Sequence, residues 1–385
     1  MIKKIYTILP QGTYGVKKFY GQYLENQMKK EAEHQVVELN SPDKLMDLEK
    51  KSGFLFSIDN FRSDIKDGNG ISIYKNIEMP HVNYIWSSAA YLNHSIEELT
   101  PKTRIIVRDR HQGDYFKKYY HLDSELIPLF GIRAKKLIPW GKRDISVFFP
   151  GSYLDEDSVL DQIKTVFPEV MGEIARGAID ILDKKKTFCV EEGIEEYLKT
   201  KGVAYTDETI RTYMVEYGFA IDGYLNRKSR NQVMRLILAQ GIPVVVCGVN
   251  WKVFKDTLAE KEQACLEIIG ENLSPQAVVD YMARSKIVLN LSPNLIDGLH
   301  ERVTSALING AICITDENSY LVETVKEDDV VELFQWKTSS SIPKKIKRIL
   351  QQETQNEQKS LRAIEFGEKH YSVEEFWEKI GWRQE

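Results

Sequence analysis

The sequence predicts an α/β protein of two similar-sized halves, each a mostly parallel sheet with helices on both faces. Three observations carry this. Short apolar runs alternate with helical segments over most of the chain. The alternation breaks and restarts around "LIPWGKRDISVFFPGSY", where Pro139 and Gly141 interrupt it. The length of 385 residues, 42% hydrophobic and 28% charged, suits two globular domains of ordinary size.

In the first half, "KIYTILP" reads as a strand and "KKFYGQYLENQMKKEA" as the helix after it. "HQVVELN" is the second strand, "GFLFSID" (53–59) the third, "HVNYIWS" (81–87) the fourth and "RIIVRD" (104–109) the fifth. The glycines of "KDGNG" (66–70) have no strand-to-helix context and read as a turn. The second half opens with the strand "ISVFFPGSY" (145–153), which ends in a glycine loop. A long helical stretch rich in Glu and Lys follows, from about 155 to 217. Then come the helix "NQVMRLILAQ", the strand "PVVVCGV", the helix "SPQAVVDYMARS", the strand "KIVLNLS", the helix "ERVTSALIN" and the strands "AICITD" and "DVVELF". Polar helices close the chain, the last being "VEEFWEKI" (373–380). The expected division is 1–140, 141–370 and a closing segment, 371–385.

A net charge of −5, with Lys and Arg spread along the chain, gives no reason to expect a nucleic-acid partner. No apolar run is long enough to cross a bilayer, which leaves only peripheral membrane contact open. Pro10 ends the first apolar run too early for a signal peptide. Cys189, Cys247, Cys265 and Cys313 lack metal-type spacing, and reduced thiols in a cytoplasmic protein are expected.

The stretch "NLIDGLHERVTSALINGAICITDEN" (294–318) is the most informative. It follows a strand and opens a helix, so it lies at the carboxyl edge of the second sheet, where such sheets bind ligands. Asp297, Gly298, His300, Glu301 and Arg302 gather at the start of a short apolar helix. A helix amino terminus attracts phosphate, and Arg302 adds a fork of donors. Glu301 can accept from sugar hydroxyls, and His300 can donate or accept. Ser305, Ala306 and Gly310 are small enough for close approach. The plainer reading makes Asp297-Gly298 a turn, Glu301 a first-turn charge and Arg302 the partner of Asp297.

"SKIVLNLSPNLIDGLHERVTSALINGAICITDENSYL" resembles the donor-binding core of GT-B glycosyltransferases, in the group 1 family that includes CgeB-like spore-maturation proteins. "RDRHQGDYFKKYY" (108–120), "RDISVFFPGSYLDED", "NRKSRNQVMRLILAQGIPVVVCGVNW" and "GEKHYSVEEFWEKI" resemble further segments of that family, so the likeness spans roughly residues 80–380. It implies two Rossmann-like domains facing across a cleft, the first for an acceptor and the second for a nucleotide-sugar donor, with the closing segment 371–385 crossing back to the first domain. Many retaining members carry two glutamates eight positions apart at this helix. Here Asp297 and Ser305 stand there, which leaves the stereochemistry open.

Other candidates follow from position. Gly151, Ser152 and Tyr153 end the first strand of the second half and suit a donor contact or a plain turn. The resemblance implies a basic residue facing the diphosphate among Arg227, Lys228 and Arg230, and Arg230 is the choice. Asn294 is a donor contact or a turn residue. Asp155, Glu156 and Asp157 resemble a metal-binding triplet but sit where a helix begins, so capping is expected and no metal is assigned. In the first half, Gly12 and Tyr14 stand on the acceptor side. Asp59, Asp109 and His111 end strands and are candidate bases, with Asp59 and His111 preferred. His81 begins a strand and Trp86 ends it, where core packing is favoured over sugar stacking. The expectation is a metal-independent cytoplasmic glycosyltransferase with Arg302 as its electrostatic catalyst, a nucleotide-sugar as co-substrate and no cofactor. The rivals are a nucleotide-sugar epimerase on the same fold and a non-catalytic partner of another transferase.

Overall fold

The computed structural model describes residues 4–8, 15–28, 33–37, 52–60, 63–99, 102–325 and 329–381. Gly12 and Tyr14 lie outside the described residues. The chain divides into two compact units, Met1–Pro128 with Val373–Glu385, and Leu129–Ser372.

The first unit holds strands β1 (Lys4–Ile8), β2 (Glu33–Val37), β3 (Phe54–Ile58), β4 (His81–Ile85), β5 (Thr103–Val107) and β6 (Ser124–Leu126). Helix α1 (Val16–Met28) follows β1, and α2 (Arg110–Tyr120) follows β5. The sheet order is β2-β1-β3-β4-β5-β6, and every ladder is parallel. β3 and β4 are buried along their whole length. Such strands read as continuous apolar runs, and that is why both were legible. β6, "SEL", is short and polar and was not expected.

The final helix, Val373–Ile380, belongs to this unit. Trp377 packs on Phe56 with ring centroids 5.7 Å apart, and Phe376 packs edge-on against Tyr84 at 5.7 Å. Arg104 donates to the Ile380 carbonyl and, at 3.1 Å, to that of Lys379, closing the helix end. The same guanidinium forks onto Glu125 at 2.7 and 2.6 Å.

The second unit holds β7 (Ile145–Pro150), β8 (Val244–Cys247), β9 (Leu266–Ile268), β10 (Ser285–Asn290), β11 (Ile312–Asp316) and β12 (Val331–Phe334). Helices α3 (Asp157–Val166), α4 (Glu169–Lys185), α5 (Val190–Thr200) and α6 (Asp207–Tyr213) fill the long Glu- and Lys-rich stretch. A π-turn, Met214–Gly218, leads into α7 (Phe219–Ala239). Then come α8 (Trp251–Asp256), α9 (Pro275–Arg284), α10 (Glu301–Ile308), α11 (Ser319–Val325), α12 (Ile342–Gln351) and α13 (Glu353–Tyr371).

The all-parallel sheet order is β12-β11-β10-β7-β8-β9. Counted within the unit this is 3-2-1-4-5-6, with the reversal between β7 and β10. Alternate residues feed two cores. Val147, Phe149, Ile287, Leu289, Ile312 and Ile314 enter one. Phe148, Val288 and Cys313 enter the other.

The unit begins ahead of the break expected near Trp140, because the strap after Pro128 is bonded into it. Gly131 N–H donates to the Tyr371 carbonyl at 2.9 Å, Ile132 N–H to Ser305 Oγ at 3.2 Å and Ala134 N–H to Asn309 Oδ1 at 2.8 Å. A Cβ on Gly131 would lie 2.4 Å from the Thr304 carbonyl oxygen, so only glycine lets the strap reach α10.

Candidate functional site

In doubly wound sheets the ligand crevice opens at the carboxyl ends of the strands where the order reverses. In the second unit those are β7 and β10. The turn after β7 carries Gly151, Ser152 and Tyr153, and the loop after β10 carries Asn294, Asp297, Gly298 and His300.

The β7 turn is locked to the turn after β8. Gly248 adopts φ +118°, and a Cβ there would lie 2.8 Å from Ser152 N. Ser152 Oγ accepts from Val249 N–H at 3.2 Å, and Trp251 Nε1 donates to the Gly151 carbonyl at 2.7 Å. The Tyr153 ring is in the core, 5.0 Å from the Phe254 ring centroid. Packing fixes Tyr153, while Gly151 and Ser152 form the turn at the carboxyl end of β7.

The loop 291–300 is clamped from both sides. From α7, Arg230 Nε donates to the Leu291 carbonyl at 2.7 Å, and Asp222 Oδ2 accepts from Asn294 Nδ2 at 3.4 Å. From the β11 side, Asp316 Oδ1 accepts from Ser292 N–H at 3.4 Å, and Asn318 Nδ2 donates to the Gly298 carbonyl at 2.9 Å. Asp297 Oδ1 accepts from Tyr320 N–H at 2.6 Å in the first turn of α11. Asp222, Asn318 and Asp316 were not singled out from sequence. Asp222 hides in the apolar run "FAIDGYL".

Arg302 is 9% exposed. Its Nη1 donates to Asn290 Oδ1 at 2.7 Å, and its guanidinium carbon lies 5.5 Å from the centroid of the Phe149 ring. Nη2 lies beside Gly151, 3.8 Å from where a Cβ there would sit. The cation therefore stands between the ends of β7 and β10.

The start of α10 differs from the expectation of open N–H groups. His300 is its cap. The ring Nδ1 accepts from Arg302 N–H at 3.1 Å, and the His300 carbonyl accepts from Val303 N–H at 2.9 Å. Glu301 Oε2 lies 3.2 Å from the same Nδ1. Ser305, at the second glutamate position of the resembling pattern, is 2% exposed and bonded to the strap. It is a packing residue.

Asp316 ends β11 at 4% exposure. Burial pushes its carboxyl up to about 7, against opposing hydrogen bonds from Ser292 and Thr315 and the nearby Arg230 charge. Burial likewise raises the Cys247 and Cys313 thiols, to about 11 and 12. All four cysteines are thiols rather than disulfides. Asp155 Oδ2 accepts from Ser158 N–H at 3.0 Å, the capping contact, and Glu156 accepts from the Asn231 amide. Arg227 donates to the Asp155 carbonyl at 3.1 Å, and Lys228 pairs with Asp183 at 2.7 Å. Of the three neighbouring cations, Arg230 is the one that contacts the 291–300 loop.

In the first unit, Asp59 and Asn60 follow β3 with φ of 56° and 46°. Their side chains hold this left-handed pair. Asp59 Oδ1 accepts from Trp86 N–H at 2.7 Å and Ser87 N–H at 2.9 Å; Oδ2 accepts from Ser87 Oγ at 2.8 Å and from Lys17. Four donors fill the acceptor sites of one carboxylate. Asp59, a candidate base by its place at a strand end, thus also ties the end of β3 to the turn after β4 and to α1. Asp109 caps α2 through His111 N–H at 2.9 Å. His111 is partly exposed at the carboxyl edge of this sheet. Trp86 is in the core, edge-on to Tyr20 at 5.0 Å. Both ring nitrogens of His81 meet hydroxyls, Ser57 at 2.7 Å and Thr103 at 3.3 Å, and burial lowers it to about 3.

Residues 227–380 match the sequence model of a family described as glycosyl transferase-like. No curated protein sequence matches the chain. Among solved structures, HepE of Anabaena in complex with UDP and glucose is similar at TM-score 0.57 and 9% identity, covering 98% of both chains. Sucrose-phosphate synthase from Thermosynechococcus elongatus is similar at TM-score 0.58 and 10% identity, over 99% of this chain and 98% of that one. An α-glucosyltransferase in complex with UDP and DNA containing an HMU base is similar at TM-score 0.54 and 12% identity, over 99% of each. The chain has the GT-B fold, built of two Rossmann-like units. Among the described residues, no helix is long and apolar enough to cross a membrane.

Proposed function

We propose that the chain is a glycosyltransferase of the CgeB-like branch, moving a hexosyl group from a nucleotide-sugar to an acceptor without a metal or cofactor. One observation carries the reading. At the strand-order reversal of a 3-2-1-4-5-6 sheet, Arg302 is held beside Gly151 and Arg230 clamps the adjoining loop. Fixed cations at that crevice suit a diphosphate.

The second unit binds the donor. Arg302 and Arg230 hold the diphosphate, and Gly151 lets it approach the backbone closely. Ser152, Asn294, Gly298 and Glu301 supply polar contacts to phosphate and sugar. Asp297 shapes the loop by accepting the Tyr320 N–H of α11. The first unit binds the acceptor.

The acceptor oxygen attacks the anomeric carbon, the glycosidic C–O bond to the diphosphate breaks, and the electron pair leaves on the phosphate oxygen. Arg302 and Arg230 neutralise the charge that develops there, and being fixed beforehand they need no reorganisation. The acceptor proton passes to His111 rather than to Asp59, which already accepts four hydrogen bonds.

Calorimetry with UDP, GDP, ADP and dTDP and their hexose conjugates tests this. Wild-type protein is expected to bind one of these nucleotides. Arg302→Ala should weaken that binding by roughly 1.5–3 kcal/mol, the range of a charge-assisted hydrogen bond. Unchanged affinity in the folded variant removes Arg302 from the site. No binding by wild type overturns the reading.

A further inference from the structure

We infer that Asn290 is a positioning residue that aims the Arg302 guanidinium at the donor diphosphate. The inference rests on the donor reading above.

A guanidinium at the end of a long side chain has many orientations, and one that binds phosphate well must be fixed beforehand. Asn290 Oδ1 accepts from Arg302 Nη1 at 2.7 Å, and the Phe149 ring lies 5.5 Å from the guanidinium carbon. With Nη1 anchored and one side covered, Nη2 is set beside Gly151, where the β7 turn has no side chain.

The amide has one workable orientation. Oδ1 also accepts from Ser292 Oγ at 3.1 Å, while Nδ2 donates to Thr315 Oγ1 at 2.9 Å. Turned over, the amide would present N–H groups to a guanidinium. The Thr315 hydroxyl donates onward to Asp316 Oδ1 at 3.5 Å. The chain of bonds thus runs from the end of β11 through Asn290 to the cation. Asn290, Ser292 and Thr315 are all at most 3% exposed, so these bonds have little competition from water.

The residue type is informative. A carboxylate at 290 would hold Arg302 as firmly but would neutralise the charge the diphosphate needs. An amide oxygen orients the cation without itself cancelling the charge. The residue also sits at the last position of β10, where side chains reach the carboxyl edge of the sheet.

A double-mutant cycle on the full chain tests this. The probe is whichever of UDP, GDP, ADP and dTDP binds wild type most tightly, measured by calorimetry. Asn290→Ala is expected to weaken it about tenfold, and to add nothing once Arg302 is alanine. Thr315→Val, which frees only the far end of the amide, is expected to weaken it less and again only when Arg302 is present. It serves as the probe of the network should Asn290→Ala not fold. Losses that persist in the Arg302→Ala background, or no loss from the position-290 and position-315 variants, overturn the positioning role. If Arg302→Ala itself binds the nucleotide normally, the donor reading fails and this inference with it.

Discussion

The Asp297 carboxylate accepts the backbone N–H of Tyr320 at 2.6 Å. The carboxylate therefore bridges the 291–300 loop and α11. Asp297→Ala should cost the protein roughly 0.5–2 kcal/mol, the usual loss for a helix cap. Asp297→Asn, which keeps an acceptor oxygen, should recover most of it. Urea unfolding of both variants checks this. Equal losses from Ala and Asn would show that the negative charge rather than the cap matters.

Asp316 makes stability depend on pH. Burial raises its folded carboxyl to about 7 from an ordinary 3.8. Between these values the folded protein holds a proton that the unfolded chain releases. Its contribution is full below 3.8 and is lost as pH rises through 7. Asp316→Asn removes that loss. The variant should exceed wild type in stability by up to roughly 4 kcal/mol at pH 8, given about 1.36 kcal/mol per pKa unit. The gap should close toward pH 4. Urea titrations at pH 4, 6 and 8 measure it, and a gap that does not vary with pH would refute the assignment.

Gly248 holds the β7 and β8 turns together. Its φ of +118° suits glycine alone, and an added Cβ would lie 2.8 Å from Ser152 N. Gly248→Ala should cost roughly 1–3 kcal/mol in backbone strain. It should also weaken nucleotide binding, because the β7 turn must move to make room. Gly241→Ala is the control: it too has positive φ, but nothing lies within 4 Å of its added Cβ. Its loss should appear in stability and not in binding.

Trp377 anchors the end of the chain. It is 2% exposed and packs its ring at a tilt against Phe56. Trp377→Ala should cost about 3–5 kcal/mol, as for other buried aromatic truncations. Circular dichroism during urea unfolding follows it. A loss under 1 kcal/mol would show that the last helix contributes little to the first unit.

Transfer should survive exhaustive chelation. Asp155 and Glu156 are committed to Ser158 and Asn231, and the proposed charge stabilisation comes from arginines. Turnover lost on chelation and restored by manganese or magnesium would return Asp155 and Asp157 to the role of metal ligands.

The sequence by itself determined the two-unit α/β architecture. Buried parallel strands are near-continuous apolar runs between helices, and that pattern survives without knowledge of contacts. The same logic placed the 294–318 stretch at a strand's carboxyl edge. Short polar strands such as "SEL" were invisible because they carry no such run.

Only the tertiary structure decided what each polar residue does. Asp59, Asn290 and Asp316 all come at or just after the end of an apolar strand, and sequence gives them one appearance. Their environments separate them. Asp59 accepts from four donors, three just past β4 and one on α1. Asp316 is buried enough to take up a proton near neutrality. Asn290 meets a cation that is twelve positions away in sequence. Hydrogen-bond partners and burial depend on which strands lie side by side, and that is a property of the folded sheet rather than of any one segment.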